Sequence, residues 1–176
     1  MRAEHSLEIT IRPARIQDAQ LISDMIHELA RYERHPEDCR ATGKTIEAQL
    51  FKQDPRPAEC LIAELSGEPV GFALFFHNFS TWECAPGLYL EDLFVRPGHR
   101  GKGAGKALFK RIAVIAVQRG CKRLEFSVLD WNEPSIRFYQ AQKARAMAEW
   151  TVYRIQSRDL QELAGIDEPG WSRNRR

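Results

Sequence analysis

A glycine-rich, basic turn between an apolar strand and an apolar helix is the feature of this sequence that most restricts the fold. Residues 89–95 alternate apolar and polar side chains and predict a strand, which Pro97 ends. Three glycines follow within residues 101–106, and a helix is expected to start at about Gly103. Its apolar stripe consists of Ala104, Leu108, Ile112 and Ile115.

The same alternation assigns the strand's side chains to two faces. One face is expected to hold Glu91, Leu93 and Val95, and the other Leu90, Asp92 and Phe94. We therefore expect the two neighbouring carboxylates to point in opposite directions.

The turn has the composition of an anion-binding loop. Glycines before a helix let backbone N–H groups gather around an anion, and the helix dipole favours negative charge at that end. A Walker A loop is excluded because Ala107 follows Gly105-Lys106, and a G-x-G-x-x-G fingerprint because a lysine stands at its third glycine. The loop alone predicts a diphosphate site, with a solvated glycine-rich turn as the alternative.

Length, charge and cysteine usage narrow the class of protein. A chain of 176 residues is most simply one domain, 1–176. A net charge of +2, with both signs interspersed, argues against a nucleic-acid partner. The four cysteines are scattered without matching histidines, so no metal site and no disulfide framework is predicted. Free thiols, no leader-like N-terminus and no long apolar run predict a cytoplasmic protein without a membrane partner.

Periodicity and turn residues place the remaining elements. Strands are predicted at 7–12, 59–65, 70–77, 123–129 and 150–155. Helices are predicted at 16–32, 45–52 and 135–142, with Asn132 capping the last one. Residues 78–87 are expected to be irregular, with Trp82 folded over an apolar surface, and residues 167–176 to be frayed.

This order of elements, with the glycine loop after the fourth strand, resembles the Gcn5-related N-acetyltransferase (GNAT) superfamily over a core of residues 7–156. Motifs at 28–33, 89–92 and 131–139 resemble its diamine/polyamine (spermidine/spermine-type) and thialysine N-acetyltransferases. The resemblance implies an α/β (α+β) fold, with a mostly antiparallel mixed sheet splayed around a coenzyme A site and flanked by helices. It also implies acetyl-CoA as co-substrate, a small amine as acceptor and a homodimer.

The resemblance carries roles over residue by residue. Tyr139 matches the general acid, and Glu91 could take a proton from the amine through water. Core packing of the tyrosine and a strand-edge salt bridge of the glutamate are the alternatives. The coenzyme positions are Leu93, Phe94, Val95, Arg100, Gly101, Lys102, Gly103, Ala104, Gly105, Lys106, Asn132, Glu133, Pro134 and Ser135. The amine positions are Tyr32, Glu33, Glu91, Asp92, Glu125, Phe126 and Ser127, with Asp92 ranked below Glu91.

Two departures from the family pattern bear on this assignment. The glycine usual after the tyrosine helix is replaced around Lys143-Ala144. Ser80-Thr81-Trp82 stands where polyamine acetyltransferases have Asp-Pro-Trp, which favours thialysine, lysine-like compounds or short diamines over long polyamines. The sequence thus predicts acetyl transfer to a small cationic amine. Acetylation of a protein N-terminus or lysine, and a non-catalytic acyl-CoA-binding module, stay as alternatives.

Overall fold

The computed structural model describes residues 8–166, which form two compact units, 8–127 and 128–166. The first unit contains β1 (Ile9–Pro13), α1 (Ala19–Tyr32), α2 (Gly43–Ile46), β2 (Glu59–Leu65), β3 (Glu68–Ser80), β4 (Ala85–Val95), α3 (Ala104–Gln118) and β5 (Leu124–Phe126). The second contains α4 (Glu133–Ala141) and α5 (Ser157–Leu163). Short 3-10 turns cover Ile16–Asp18, Pro36–Asp38 and Pro97–His99, and a π turn covers Glu47–Phe51. The predicted frayed tail lies outside the described residues, and the single domain stays a prediction.

The first unit is built on one five-stranded sheet in the order β1-β2-β3-β4-β5. Neighbours among the first four strands are antiparallel, and β5 runs parallel to β4. This β5 pairing extends only from Leu88↔Leu124 to Leu90↔Phe126. Within residues 8–127, the second half of β4 therefore has no partner strand on the β5 side. The predicted mixed, splayed sheet is confirmed.

Helices cover both faces of this sheet. On one face, Ile22 and Met25 of α1 pack with Phe72 and Phe94 in a buried cluster. On the other face, α3 packs across the sheet, and its predicted stripe is buried as expected. The described part of the chain contains no helix with the length and apolar character needed to cross a membrane.

A β-bulge in β4 changes the face predicted for Leu90. Phe75 pairs with Leu90 and Leu74 pairs with Asp92, which leaves Glu91 as an extra residue opposite neither. Because consecutive residues of β3 point to opposite faces, Leu90 and Asp92 also lie on opposite faces. Asp92 therefore lies on the α1 face of the sheet, together with Phe94. Strict alternation predicted that Leu90 lies on the same face as Asp92, because a period of two residues cannot detect an inserted residue.

Three predicted segments also differ from the structure. The segment 78–87 is not irregular, because β3 and β4 stay paired as far as Ser80↔Ala85. Trp82 lies in the tight turn between them and is 87% exposed, so it covers no apolar surface. The strand predicted at 123–129 is limited to β5, since β4 bends at its bulge just beyond the last shared pair. The strand predicted at 150–155 does not form, because no other described strand pairs with it.

In the second unit, both ends of α4 are capped. The side chain of Asn132 accepts a hydrogen bond from the backbone N–H of Ser135 at 3.3 Å, which confirms the predicted N-cap. At the other end, the N–H of Lys143 donates to the Gln140 carbonyl at 2.9 Å, and the N–H of Ala144 donates to the Tyr139 carbonyl at 3.1 Å. This is a Schellman motif, in which Lys143 adopts φ 68°, a conformation that favours glycine.

Replacing Lys143 with glycine is expected to stabilise the protein by about 1 kcal/mol, because glycine adopts positive φ without the steric cost of a Cβ. Thermal or urea unfolding measures the change. Lys143→Ala is the matched control, since it removes the same charge and keeps the Cβ. Equal stabilisation by both variants would show that the charge, and not the backbone conformation, is unfavourable at this position.

Candidate active site

Three carboxylates come together where the bulge of β4 meets the C-terminal end of α1. Glu33 is the C-cap residue of α1, and its backbone N–H donates to the Leu29 carbonyl at 2.8 Å. Glu91 is the exposed bulge residue and Asp92 the partly buried residue that follows it. The charges of Glu33 and Glu91 both act on Asp92. The charge of Glu91 thus acts on Asp92 although the two side chains were predicted to point in opposite directions, and that divergence stays a prediction.

The environment of Asp92 favours its neutral form. The pKa of Asp92 is raised to about 7, first by burial and then by the negative charges of Glu91 and Glu33. Burial also raises the pKa of Glu33, against the opposing charge of His35. Only negative charges act on Asp92, and no lysine or arginine among residues 8–166 forms an ion pair with it. The cluster is suited to receive a cation from outside the chain.

The open edge of β4 begins next to these carboxylates. The backbone N–H of Arg96 donates to the Val70 carbonyl at 2.9 Å. The backbone N–H and C=O groups of Arg96, and of every second residue before it, therefore point toward β3. The backbone groups of Leu93 and Val95 consequently face the side that β5 does not cover. The Val95 carbonyl accepts a hydrogen bond from Arg100, and the other groups are available to an extended ligand, as the resemblance implies for the acetyl-pantetheine part of the coenzyme.

The glycine loop fits a phosphate-bearing ligand. Gly101 and Gly103 have φ values of 75° and 95°, and Gly103 is the N-cap of α3. A Cβ on Gly103 would also lie only 3.2 Å from a side-chain carbon of Ile9. The first N–H groups of the 15-residue helix point out of its end, and the side chains of Lys102 and Lys106 are exposed beside them. Amide donors and cations thus meet where coenzyme phosphates were predicted.

Arg100, expected at the coenzyme, and the nearby Arg96 both have partners within the unit. Arg96 forms an ion pair with Glu28 of α1 at 3.0 Å, and its guanidinium also donates to the Pro69 carbonyl at 3.2 Å. The Nε of Arg100 donates to the Val95 carbonyl at 2.8 Å, and its Cζ lies 4.5 Å from the centre of the Tyr32 ring. Neither pairing was predictable from the sequence, although Glu28 belongs to the 28–33 motif.

The amine positions predicted on β5 already have partners within the protein. The Glu125 carboxylate accepts a hydrogen bond from the Asn78 amide at 2.6 Å and pairs with the Arg123 guanidinium at 3.0 Å. The Ser127 and Tyr89 hydroxyls lie 2.8 Å apart. Phe126 packs edge-on against Phe109 of α3, with ring centroids 5.8 Å apart. The charge of Glu125 is thus neutralised internally, unlike that of Asp92.

The second unit carries the remaining predicted positions. Glu133, Pro134 and Ser135 form the first turn of α4 after its cap. Tyr139 lies on the same helix and contacts Phe138 edge-on, with ring centroids 5.2 Å apart. The roles of these residues stay predictions.

One exposed group of His35, Glu37 and Asp38 has the spacing of metal ligands among the described residues. The expectation that the protein binds no metal stays a prediction.

Comparison with known proteins places these features in a family. A model of the acetyltransferase (GNAT) family matches residues 22–143. A thialysine N-epsilon-acetyltransferase of Bos taurus is 34% identical over 168 residues, covering 89% of this chain and 98% of the relative. An L-ornithine N5-acetyltransferase of Arabidopsis thaliana is 36% identical over 68% of this chain and 53% of its own length. The solved structure of an integron cassette protein from the mobile metagenome of V. cholerae superposes with a TM-score of 0.74 at 26% identity, covering 89% of this chain and 97% of that one.

Proposed function

The chain belongs to the acetyltransferase (GNAT) family and is an acetyl-CoA-dependent N-acetyltransferase, and we propose that its acceptor is the primary amine of a small cationic molecule. Diamines, polyamines and thialysine-like amino acids form this class. The names of the relatives from Bos taurus and Arabidopsis thaliana support the assignment, since both act on amino acids with a side-chain amine.

The carboxylate cluster of Glu33, Glu91 and Asp92 is the observation that carries this proposal. A partly buried carboxylate with two acidic neighbours and no lysine or arginine ion pair among the described residues is unfavourable on its own. An alkylammonium ion relieves that cost by neutralising the cluster when it binds. A neutral or anionic acceptor would gain nothing from this arrangement.

The cluster also serves the chemistry of the acceptor. An alkylammonium has a pKa of about 10 and must lose its proton before its nitrogen can attack a carbonyl carbon. Glu91 and Asp92 can accept this proton, directly or through water. Acetyl-CoA supplies the thioester, and in our proposal Tyr139 donates a proton to the departing thiolate, as its family motif implies. Leu93 and Val95 hold the extended coenzyme by their backbone groups, and the loop of residues 101–106 binds its phosphates.

The hairpin between β3 and β4 favours short acceptors. A long polyamine needs a second acidic group for its distal ammonium, and Ser80-Thr81-Trp82 stands in place of the usual Asp-Pro-Trp motif. Ser80 is buried, and its hydroxyl accepts a hydrogen bond from the N–H of Glu83 at 3.2 Å. We therefore favour thialysine, ornithine-like amino acids and short diamines over spermine.

Acetylation assays on an amine panel test the function. The purified protein is incubated with acetyl-CoA and thialysine, ornithine, lysine, putrescine, spermine, an aminoglycoside or a peptide, and products are identified by mass spectrometry. We expect kcat/KM for the best short amine to exceed that for spermine and for the peptide at least about tenfold. Preference for the peptide would favour a protein acetyltransferase. Coenzyme binding without any product would favour an acyl-CoA-binding module.

Dimerisation belongs to the same proposal. In the second unit, Trp150, Val152, Tyr153 and Ile155 are 54–90% exposed, and this stretch pairs with no described strand. Exposed apolar residues of this size suit an interface between two copies of the chain. Light scattering coupled to size-exclusion chromatography should give twice the chain mass of 20.3 kDa. Val152→Glu should shift this mass toward that of the monomer. A monomeric mass for the parent protein would exclude the dimer.

A further inference from the structure

Arg100 joins the glycine loop, to which it belongs, to two other elements of the first unit, β4 and α1. Its Nε donates to the Val95 carbonyl at the end of β4, at 2.8 Å. Its Cζ lies 4.5 Å from the centre of the Tyr32 ring, in the last turn of α1, and 5.8 Å from the centre of the Phe94 ring. Arg100 itself belongs to the glycine loop. A planar guanidinium can donate in its plane while its face covers an aromatic ring, whereas an ammonium group cannot do both in the same way.

The Tyr32 contact reaches the amine site through the backbone. Tyr32 is the last residue of α1 and directly precedes Glu33, the C-cap residue whose charge acts on Asp92. Holding the Tyr32 ring therefore fixes the turn that presents Glu33. A cation on the ring of Tyr32 also changes the expected role of this tyrosine, because the bound arginine competes with an amine substrate for the ring.

The loop has other cations for the coenzyme phosphates. Lys102 and Lys106 are exposed at the N-terminal end of α3, and neither forms an ion pair among the described residues. These two lysines can therefore bind the coenzyme phosphates without Arg100.

We propose that Arg100 is a positioning residue for the amine site, which locks Tyr32 and the open end of β4 to the glycine loop, and that phosphate binding falls to the lysines. This proposal rests on the proposed function, because it assigns Arg100 to the acceptor side of the same reaction. It predicts that loss of Arg100 weakens use of the amine more than binding of the coenzyme.

Steady-state kinetics and coenzyme titration separate the two roles. Arg100→Met should lower kcat/KM for the best amine about tenfold and change the Kd for coenzyme A less than about threefold. Arg100→Lys should restore little, since it keeps only the charge. Lys102→Met is the matched control in the same loop, and it should weaken coenzyme A without a separate effect on the amine. A weakening of coenzyme A by Arg100→Met that accounts for the whole loss of activity would overturn the proposal, as would full recovery with lysine.

A double-mutant cycle measured by melting temperature tests the contact between Arg100 and Tyr32 independently of turnover. Arg100→Met and Tyr32→Leu should each lower the melting temperature, and the double variant should lose clearly less than the sum. Additive losses would mean that the two side chains do not hold each other, and the proposal would fail. If the parent protein acetylates no amine in the panel, the proposed function fails, while this cycle and the coenzyme titration still decide the role of Arg100.

Discussion

Asp92→Asn is expected to lower kcat/KM for the amine about 100-fold and, at pH 8, to make the folded protein more stable. The activity falls because asparagine keeps the shape of the side chain but can neither neutralise an ammonium ion nor accept its proton. The stability rises because the charged carboxylate is held next to Glu91 and Glu33 with no cationic partner among the described residues.

The gain in stability has a defined pH dependence. The pKa of Asp92 rises from 3.8 to about 7 in the folded protein, through burial and the charges of Glu91 and Glu33. A raised carboxyl pKa does not change the free energy of unfolding below pH 3.8. Between pH 3.8 and pH 7 it lowers this free energy progressively, and the loss is complete above pH 7. The shift corresponds to at most about 4 kcal/mol, and a gain of about 2 kcal/mol for Asp92→Asn at pH 8 is expected after relaxation. Near pH 4 the two proteins should be equally stable.

Urea unfolding at pH 4, 6 and 8, with kinetics on the same preparations, measures both effects. Asp24→Asn is the matched control, because Asp24 is an exposed residue of α1 outside the cluster. It should change neither activity nor the pH dependence of stability. The buried thiol of Cys60, on which the charge of Asp92 also acts, stays protonated throughout this range because its pKa is raised. A variant that loses activity but gains no stability at pH 8 would show that Asp92 has a favourable partner in the folded protein.

Features that depend on local periodicity were predictable from the sequence. The buried stripe of α3 and the Asn132 cap follow from spacing and side-chain chemistry within a few residues. The glycine loop was recognisable because Gly101 and Gly103 adopt positive φ, which other residues adopt at a cost. Family membership needed the motifs as well, since a loop of this kind is a weak signal alone.

Features that depend on register or on contacts distant in sequence were not predictable. A bulge inserts one residue without any change in hydrophobic pattern, so alternation assigned Leu90 and Asp92 to the same face, whereas the structure has them on opposite faces. The contact between Arg100 and Tyr32 joins positions 68 residues apart, and a loop arginine is equally suited to a phosphate. The apolar alternation at 150–155 was visible, but a strand also needs a partner to satisfy its backbone groups.

Tyr139→Phe is expected to lower kcat about 100-fold and to change the Kd for coenzyme A less than about twofold. The substitution removes only the hydroxyl, which in our proposal donates a proton to the thiolate as it leaves. The ring stays and keeps its edge-on contact with Phe138, and the carbonyl of residue 139 still accepts the hydrogen bond from Ala144 that ends α4. The cap and the packing of this helix should therefore persist.

Three measurements on one preparation separate chemistry from structure: kcat at saturating amine and acetyl-CoA, titration with coenzyme A, and thermal unfolding. Tyr153→Phe is the matched control, because it removes the hydroxyl of a tyrosine that is 90% exposed in the same unit. The control should match the parent protein in all three. Equal losses of turnover and coenzyme affinity in Tyr139→Phe would mean that the hydroxyl is structural, since a group acting only on the leaving thiolate contributes little before the thioester breaks.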